Sequence, residues 1–532
     1  MSSIYGVFGG SHDPSVCLIV DGKIKFCVEE ERFTRIKTGD NHPEVPRLAL
    51  RKVEKESNIS VKEADYLVFA DHVSIPFANS LERTYTSYPH HLCHASSTYY
   101  TSGFQEKCLV LTMDAGGNND SINLYTAENG ELTKVYSDVY AANGNLAMMW
   151  GYATRSIKGT DGNGLFIWNL CKDEGKLMGM APDGEYDEKF EKLFNNLIQY
   201  KDWKFFPNNT LGKTRYIVEM IRRLGWVDSD KKLANFSFAL QNHTEKLILE
   251  FLEDIHEKYP EYSKICLAGG IFANVKLNQK INQLDWLDEI YVVPAMSDSG
   301  LSLGAAILKT RELGEGFSVP EKFNDVYLGF EYTFENLKKC IQGKPIHIEE
   351  FDAKKLAEDI DKGEIIGWFN GRMEFGPRAL GARSILCKPN DLSVKNKLNN
   401  ILKRYDTMPF APVVMEEYFD DLFTETKSKY SGRFMTLCYD TKPEWIEKLP
   451  SVIQKSDGTA RPQVVNKMTN KNYWEVINQF RELTGIPVLL NTSFNIHNEP
   501  IIEEPCRAVK HLTDGLLDKL VFENYVLQYK KF

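Results

Sequence analysis

The sequence has no C-x-x-C pair: its ten cysteines (Cys17, Cys27, Cys93, Cys108, Cys171, Cys266, Cys340, Cys387, Cys438 and Cys506) stand singly, mostly inside apolar runs. That spacing argues against a zinc knuckle or a disulfide framework and predicts the reduced, buried thiols of a cytoplasmic protein. No apolar run approaches the roughly 18 residues of a membrane helix. MSSIYGVFGGSHD lacks the basic and apolar regions of a signal peptide, so neither insertion nor export is expected. Basic residues are not in excess either: 64 Lys and Arg stand against 74 Asp and Glu, a net charge of −10. This weighs against a broad phosphate-binding face and leaves a local basic groove open. Low-complexity tracts are missing too. What is present is 532 residues with 42% hydrophobic and 26% charged content, a soluble globular composition too long for one core, so two or three domains are expected.

The chain opens as a β-meander: Ile4–Phe8 leads into a Gly-rich turn, and SVCLIV and KIKFCV flank the hairpin signal Asp21-Gly22. About a hundred residues later the pattern returns. KCLVLTMD ends in Asp114 and a glycine pair, SINLY follows, and Asn129-Gly130 turns into ELTKVYS. Two such units predict a duplicated α/β domain of the actin-like or ribonuclease-H-like kind. Between them Tyr88–Tyr100 is helical in period, with Pro89 near its first turn. A second helix is expected from Lys231 to Tyr259, then strand KICLAGG, a helix starting near Asn274, strand EIYVVP, the turn SDSG and helix LSLGAAILKTRELG. From Gly314 to Lys344 periodicity weakens and a linker is expected. A second α/β unit follows from Ile346, with strands in EIIGWFN and IPVLLNT.

His90 and His94 lie four apart, so a helix would project both imidazoles from one face, a geometry that suits one metal. Asp114 ends a strand, and Asp298 sits in a strand-to-helix turn. Two imidazoles with carboxylates form a mixed N/O set for Fe, Mn or Zn. The plain alternative is a core histidine pair with turn and cap aspartates. The glycine pairs Gly9-Gly10, Gly116-Gly117 and Gly269-Gly270 let backbone amides approach a phosphate, although each alone is ordinary turn chemistry. Together they suggest a nucleotide held between two lobes. Further on, GRMEFGPRALGARSI carries Arg372, Arg378 and Arg383, and with Lys403 and Arg404 these would form a fork-like anion site, against the alternative of solvated surface charge. NTSFNIHNEP offers Asn491, Thr492, Ser493 and Asn495 at a strand end, or a plain polar turn.

HDPS with EEERFTRIK, HHLCHASS, MDAGG, GKLMGMAPDG, GGIFANVKLN, SDSGLSLGAA, GRMEFGPRALGARSI, MPFAPVVM, DGTARPQVV and NTSFNIHNEPI stand here in one order. In that order the chain resembles the NodU/CmcH/TobZ family of O-carbamoyltransferases over essentially its whole length. The resemblance implies an actin-like (ASKHA) carbamoyl-transfer domain over 1–340 and a YrdC-like domain over 341–532. The latter would make carbamoyl adenylate from carbamoyl phosphate and ATP, with magnesium accompanying the nucleotide. The former would hand the carbamoyl group to an acceptor hydroxyl of a small molecule. The family's iron-like metal would fall on His90, His94, Asp114 and Asp298, and His12 and Asp13 would lie near the acceptor. Lys176 and Asn274 match nucleotide-side motifs, as do Gly116, Gly117, Gly269 and Gly270, while Arg461 falls in the stretch matched around carbamoyl phosphate. A homo-oligomer is compatible.

Two positions depart from the family pattern, Met408 before PFAP and Lys455 before DGTARPQ, which puts the carbamoyl-phosphate contacts near Arg404 and Lys455 in doubt. Three other readings compete. One is carbamoylation of a hydroxymethyl pyrimidine in a nucleotide or nucleic acid. Another is threonylcarbamoyl or HypF-like cysteine chemistry, whose acylphosphatase and zinc-finger segments are not seen in the sequence. The third, an actin-like nucleotide switch or scaffold, leaves the second domain unexplained.

Overall fold

A computed structural model describes residues 2–10, 12–37, 45–70, 79, 83–117, 119–138, 145–158, 174–207, 221, 223–403, 409–425 and 427–530. The chain divides into two compact units, Met1–Glu31 with Thr38–Phe323, and Arg32–Lys37 with Asn324–Phe532.

The first unit holds two five-stranded sheets. In one, Ser3–Phe8, Ser15–Val20 and Lys23–Glu29 form an antiparallel meander, and Tyr66–Ala70 and Thr86–Tyr88 add in parallel beside the first strand. The other repeats this with Cys108–Gly117, Asp120–Glu128 and Glu131–Asp138, followed by Lys264–Ala268 and Glu289–Val292. Numbering each sheet's strands in chain order, both read 3-2-1-4-5. This is the duplicated actin-like architecture expected from the two meanders. The local cause is turn chemistry. Asp21-Gly22 (φ 51° and 71°) and Asn129-Gly130 (φ 53° and 83°) adopt the positive φ pair that matches strand twist in a two-residue hairpin.

Two helices, His90–Ser102 and Leu301–Glu312, pack closely in this unit. A Cβ on Gly304 would lie 2.0 Å from the Cys93 carbonyl oxygen, so only glycine permits the approach. Pro89 stands at the N-cap of the first helix and Gly103 ends it in the left-handed region. That helix is buried almost all round yet polar. Its hydroxyls resolve the conflict by bonding carbonyls: Ser96 Oγ donates to Gly304 O (3.0 Å) and Thr98 Oγ1 to Leu267 O (3.0 Å), tying it to the second helix and the second sheet.

The second unit is a mixed eight-stranded sheet, in spatial order Ile346–Glu350, Tyr525–Tyr529, Lys519–Phe522, Ile366–Phe369, Arg383–Cys387, Val488–Ser493, Ala411–Met415 and Gln463–Val465. Trp368, Leu386, Val413 and Leu489 pack there with Tyr473, Val476, Ile477 and Phe480 of the Lys471–Thr484 helix, each burial contributing about 1.5–3 kcal/mol for the apolar members. The Arg32–Lys37 segment belongs to this unit because its arginines cap carbonyls there: Arg32 Nη2 donates to Gly376 O and Arg35 Nη1 to Ile501 O, both at 2.7 Å.

Two expectations are corrected. Cys340 and Cys506 are disulfide-bonded, with Cα atoms 4.9 Å apart at a sequence separation of 166. The helices Phe334–Ile341 and Pro505–Thr513 bring them together, which no local spacing announces. The other described cysteines are buried free thiols, and Cys171 lies outside the described residues. The expected linker from Gly314 to Lys344 contains the Phe334–Ile341 helix, opened by a capping box between Thr333 and Asn336. Among the described residues no helix is long and apolar enough to cross a membrane.

Candidate metal centre and anion site

The helix that starts at His90 places His90 and His94 one turn apart with ring centroids 4.8 Å from each other. Gly117 makes room for this, since a Cβ there would meet the His90 ring at 2.2 Å. Asp114, on the first strand of the second sheet, is fixed by two backbone amides: Ala115 N donates to Oδ1 and Gly270 N to Oδ2, each at 2.5 Å. Gly269 (φ 105°) allows that turn to close on the Met113 carbonyl, 2.1 Å from where a Cβ would stand. Asp298 begins the short turn that leads into the Leu301–Glu312 helix.

One atom from each of His90, His94, Asp114 and Asp298 lies within 4.8 Å of the others, and all four residues are buried. His94 Nε2 stands 3.3 Å from Asp298 Oδ1 and 3.7 Å from Asp114 Oδ2, and His90 Nε2 stands 3.5 Å from Asp298 Oδ1. Ligand atoms about 2.1 Å from one ion lie roughly 3–4.2 Å apart, so these separations suit a shared cation. His94 Nε2 and Asp298 Oδ1 are buried and make no hydrogen bond, which would cost about 1–3 kcal/mol each without a ligand. The residues therefore fit a divalent transition metal of N/O preference.

The middle histidine of the motif is separated from this set by its contacts. His91 Nδ1 lies 2.8 Å from Thr112 Oγ1 and Nε2 3.1 Å from the Asp120 carbonyl. Burial, with repulsion from His90 and His94, pushes it down to about 3, so it is neutral. Asp298 goes the other way: burial would raise it, but His90, His12 and His94 hold it below the usual carboxylate range. His12 Nε2 lies 3.6 Å from Asp298 Oδ2, and His12 Nδ1 lies 3.6 Å from Asp13 Oδ2. Burial would lower His12, yet Asp298, Asp13 and Asp114 outweigh it and hold the imidazole up at about 10.

A small cleft of about 20 Å³ opens beside Asp114, lined also by Ser121, Asp138, Asn145, Phe205 and Ile271. Asn274 caps the Val275–Asn282 helix through Oδ1 to Leu277 N (3.0 Å) and pairs with Gln241 at 2.8 and 3.2 Å, a partner the sequence did not single out. Lys176 sits half-buried on the Glu174–Met180 helix.

In the second unit the arginines divide by their partners. Arg372 donates to the carbonyls of Gly329 and Leu328, both at 2.9 Å. Arg383 is fully buried, donates to the Gly371 and Ala382 carbonyls, and stacks on Phe369 at 3.6 Å. Arg378 and Arg461 behave differently: among the described residues neither has a hydrogen bond or an acidic partner, and the Nε of each is buried and unbonded. Burial, with the Arg461 charge nearby, drives Arg378 far below the usual guanidinium range, and burial lowers Arg461.

The loop that carries Arg378 is shaped by a residue the sequence did not single out. Glu374 Oε1 accepts the amides of Leu380 (2.7 Å), Ala382 (3.1 Å) and Arg383 (3.1 Å). Asn491 is fully buried. Ser493 ends the same strand, half-buried. Asn495 turns its amide onto the Ile496 and Glu499 carbonyls. Lys403 is exposed at the left-handed C-cap of the Leu392–Leu402 helix, and Lys455 is exposed in a turn. Arg404 and Met408 lie outside the described residues.

Two family models match: carbamoyltransferase N-terminus over residues 75–307 and carbamoyltransferase C-terminus over 357–529. Nodulation protein NolNO of Sinorhizobium fredii is 32% identical across 97% of this chain and 79% of its own length. Nodulation protein NolO of Bradyrhizobium diazoefficiens is 32% identical across 82% of this chain and 78% of its own. Among solved structures, component A of the (R)-2-hydroxyglutaryl-CoA dehydratase of Acidaminococcus fermentans aligns with 59% of this chain and 100% of its own. Its TM-score of 0.38 and identity of 12% make that likeness too distant to argue from.

Proposed function

We propose, from the premise that the chain belongs to the carbamoyltransferase family, that it draws the carbamoyl group from carbamoyl phosphate, activates it with ATP as carbamoyl adenylate, and passes it to a hydroxyl of a small-molecule acceptor. The observation that carries this reading is the pair Arg378 and Arg461, two half-buried arginines with enclosed, unbonded Nε atoms and no carboxylate partner among the described residues. An anion stabilises such a pair, and a phosphoryl group fits the fork geometry of a guanidinium. Releasing both phosphate and pyrophosphate takes up one water, and the adenylate leaves the carbamoyl carbon with a good leaving group.

In this reading the second unit makes the adenylate and the first consumes it. The N-terminus of the Val275–Asn282 helix, which follows the Gly269-Gly270 turn bonded to Asp114, suits a nucleotide phosphate. A divalent, iron-like cation on His90, His94, Asp114 and Asp298 would supply Lewis-acidic charge for phosphate oxygens and offset the carboxylate field on His12. His12 then takes the acceptor's proton as general base, with Asp13 orienting its ring through Nδ1. The net charge of −10 favours a small acceptor over a nucleic acid.

The deciding experiment measures pyrophosphate release from ATP with and without carbamoyl phosphate, then looks for carbamoylated product by mass spectrometry across sugar, aminoglycoside and hydroxymethylcytosine acceptors. Carbamoyl-phosphate-independent or absent turnover in folded protein would sink the reading.

A further inference from the structure

We infer that Asn491 reads the nitrogen of the carbamoyl group: its Oδ1 accepts a hydrogen bond from the ligand NH2, and Gln463 holds the amide in the orientation that makes this possible. The inference rests on the second unit's proposed use of carbamoyl phosphate and names what selects that ligand from other acyl phosphates.

Asn491 occupies the Val488–Ser493 strand, opposite Leu386 on one side and Ala411 on the other, in the interior of the sheet. It is 0% exposed. Asparagine is a poor strand former and an apolar side chain would fill this place more favourably. The amide must therefore answer a polar need. Its orientation follows from its neighbours. Leu380 O is a carbonyl and can only accept, so the Gln463 atom 2.7 Å away is the nitrogen, Nε2. Gln463 then turns Oε1 toward Asn491, which must offer Nδ2, at 2.8 Å. The other Nδ2 hydrogen goes to Ala379 O at 3.0 Å. Both donors are engaged by protein acceptors, and Oδ1 is left as a buried acceptor with no partner among the described residues.

The place of this acceptor defines its ligand. Ala379 follows Arg378 in the chain, and Gln463 comes two residues after Arg461. Arg378 and Arg461 both lack a hydrogen bond and an acidic partner among the described residues. An unpaired acceptor held by residues that stand one and two positions along the chain from these arginines suits an anion that also carries an N–H. Carbamoyl phosphate has both features, and so does the carbamate left when its phosphate departs. Acetyl phosphate presents a methyl group in place of the nitrogen and would leave Oδ1 unsatisfied. A site built to bond an N–H rejects an analogue without it far more strongly than a hydrophobic pocket rejects a methylene.

The test uses the full chain, with calorimetric binding of carbamoyl phosphate, acetyl phosphate and inorganic phosphate, alongside pyrophosphate release from ATP. Wild type should prefer carbamoyl over acetyl phosphate by about 10²-fold or more in binding. Asn491→Leu, close in shape, should bring that ratio to within about tenfold, mostly by weakening carbamoyl phosphate, and leave inorganic phosphate within about twofold. Gln463→Leu frees the Asn491 amide to turn and should lower the ratio by a smaller factor, raising KM more than it lowers kcat. This second variant decides the matter should Asn491→Leu fail to fold. An unchanged ratio overturns the inference, and so does parallel weakening of all three ligands, which would make Asn491 a support for the Arg378 loop alone. Preferential binding of carbamoyl phosphate without pyrophosphate release would uphold Asn491 and overturn the adenylation reading, so the two failures are told apart.

Discussion

The two charged clusters of this molecule leave opposite signs unbalanced. In the first unit Asp114 and Asp298 converge on two imidazoles, with His94 Nε2 and Asp298 Oδ1 unbonded. In the second, Arg378 and Arg461 feel each other's charge with no acidic partner among the described residues. Charged groups are not buried unpaired without a reason, because desolvation costs several kcal/mol per ion and an uncompensated partner makes it worse. The sign left over therefore names the missing species: a cation for the first cluster and an anion for the second.

The largest expected effect separates the clusters outright. His94→Ala should strip the metal and abolish carbamoyl product, yet keep most of the carbamoyl-phosphate-dependent pyrophosphate release. Elemental analysis next to the two activity assays checks it, and loss of both activities in folded protein would refute the division of labour.

Next comes His12→Asn, which removes a positioned base and should slow transfer by about 10²–10⁴-fold, with adenylate formation intact and carbamoyl adenylate detectable by rapid quench. Arg378→Ala should reduce pyrophosphate release by about 10²–10³-fold, the size seen for one preorganised charge-stabilising donor. The same substitution removes one of two repelling, half-buried cations, so thermal stability should hold or rise in the absence of phosphate. A marked fall in melting temperature would mean that Arg378 has a structural partner and that the second cluster is not an empty anion site. The smallest effect on activity belongs to Cys340→Ser. It opens the link to Cys506 and should destabilise the second unit by about 2–4 kcal/mol in denaturant titration under non-reducing conditions, with metal content and transfer unchanged.

How much of each cluster was legible depended on how local its cause is. The i, i+4 pair His90 and His94 follows from helix periodicity alone, and the structure places it with Asp114 and Asp298 within 4.8 Å. The Arg-rich stretch was legible only as composition. Arg372, Arg378 and Arg383 look alike in sequence, yet Arg372 and Arg383 bond carbonyls at Gly329 and Gly371 while Arg378 does not. Partner choice across 12 to 44 positions in the chain carries no periodic signal. Glu374 and Gln463 escaped for the same reason, since one shapes a loop through amides six to nine residues away and the other reaches Leu380 across 83 positions.

By itself the sequence determined what short-range stereochemistry controls. Asp21-Gly22 and Asn129-Gly130 turn the two meanders because their positive φ is intrinsic to those residues, and Pro89 and Gly103 bound the helix that bears the histidines. Tertiary structure alone decided which charges are answered. The Cys340–Cys506 bridge, the division among the arginines and the orientation of the Asn491 amide all depend on atoms far apart in the chain meeting within hydrogen-bonding or covalent reach. A residue's type states how many partners it wants, and only packing determines whether they are there.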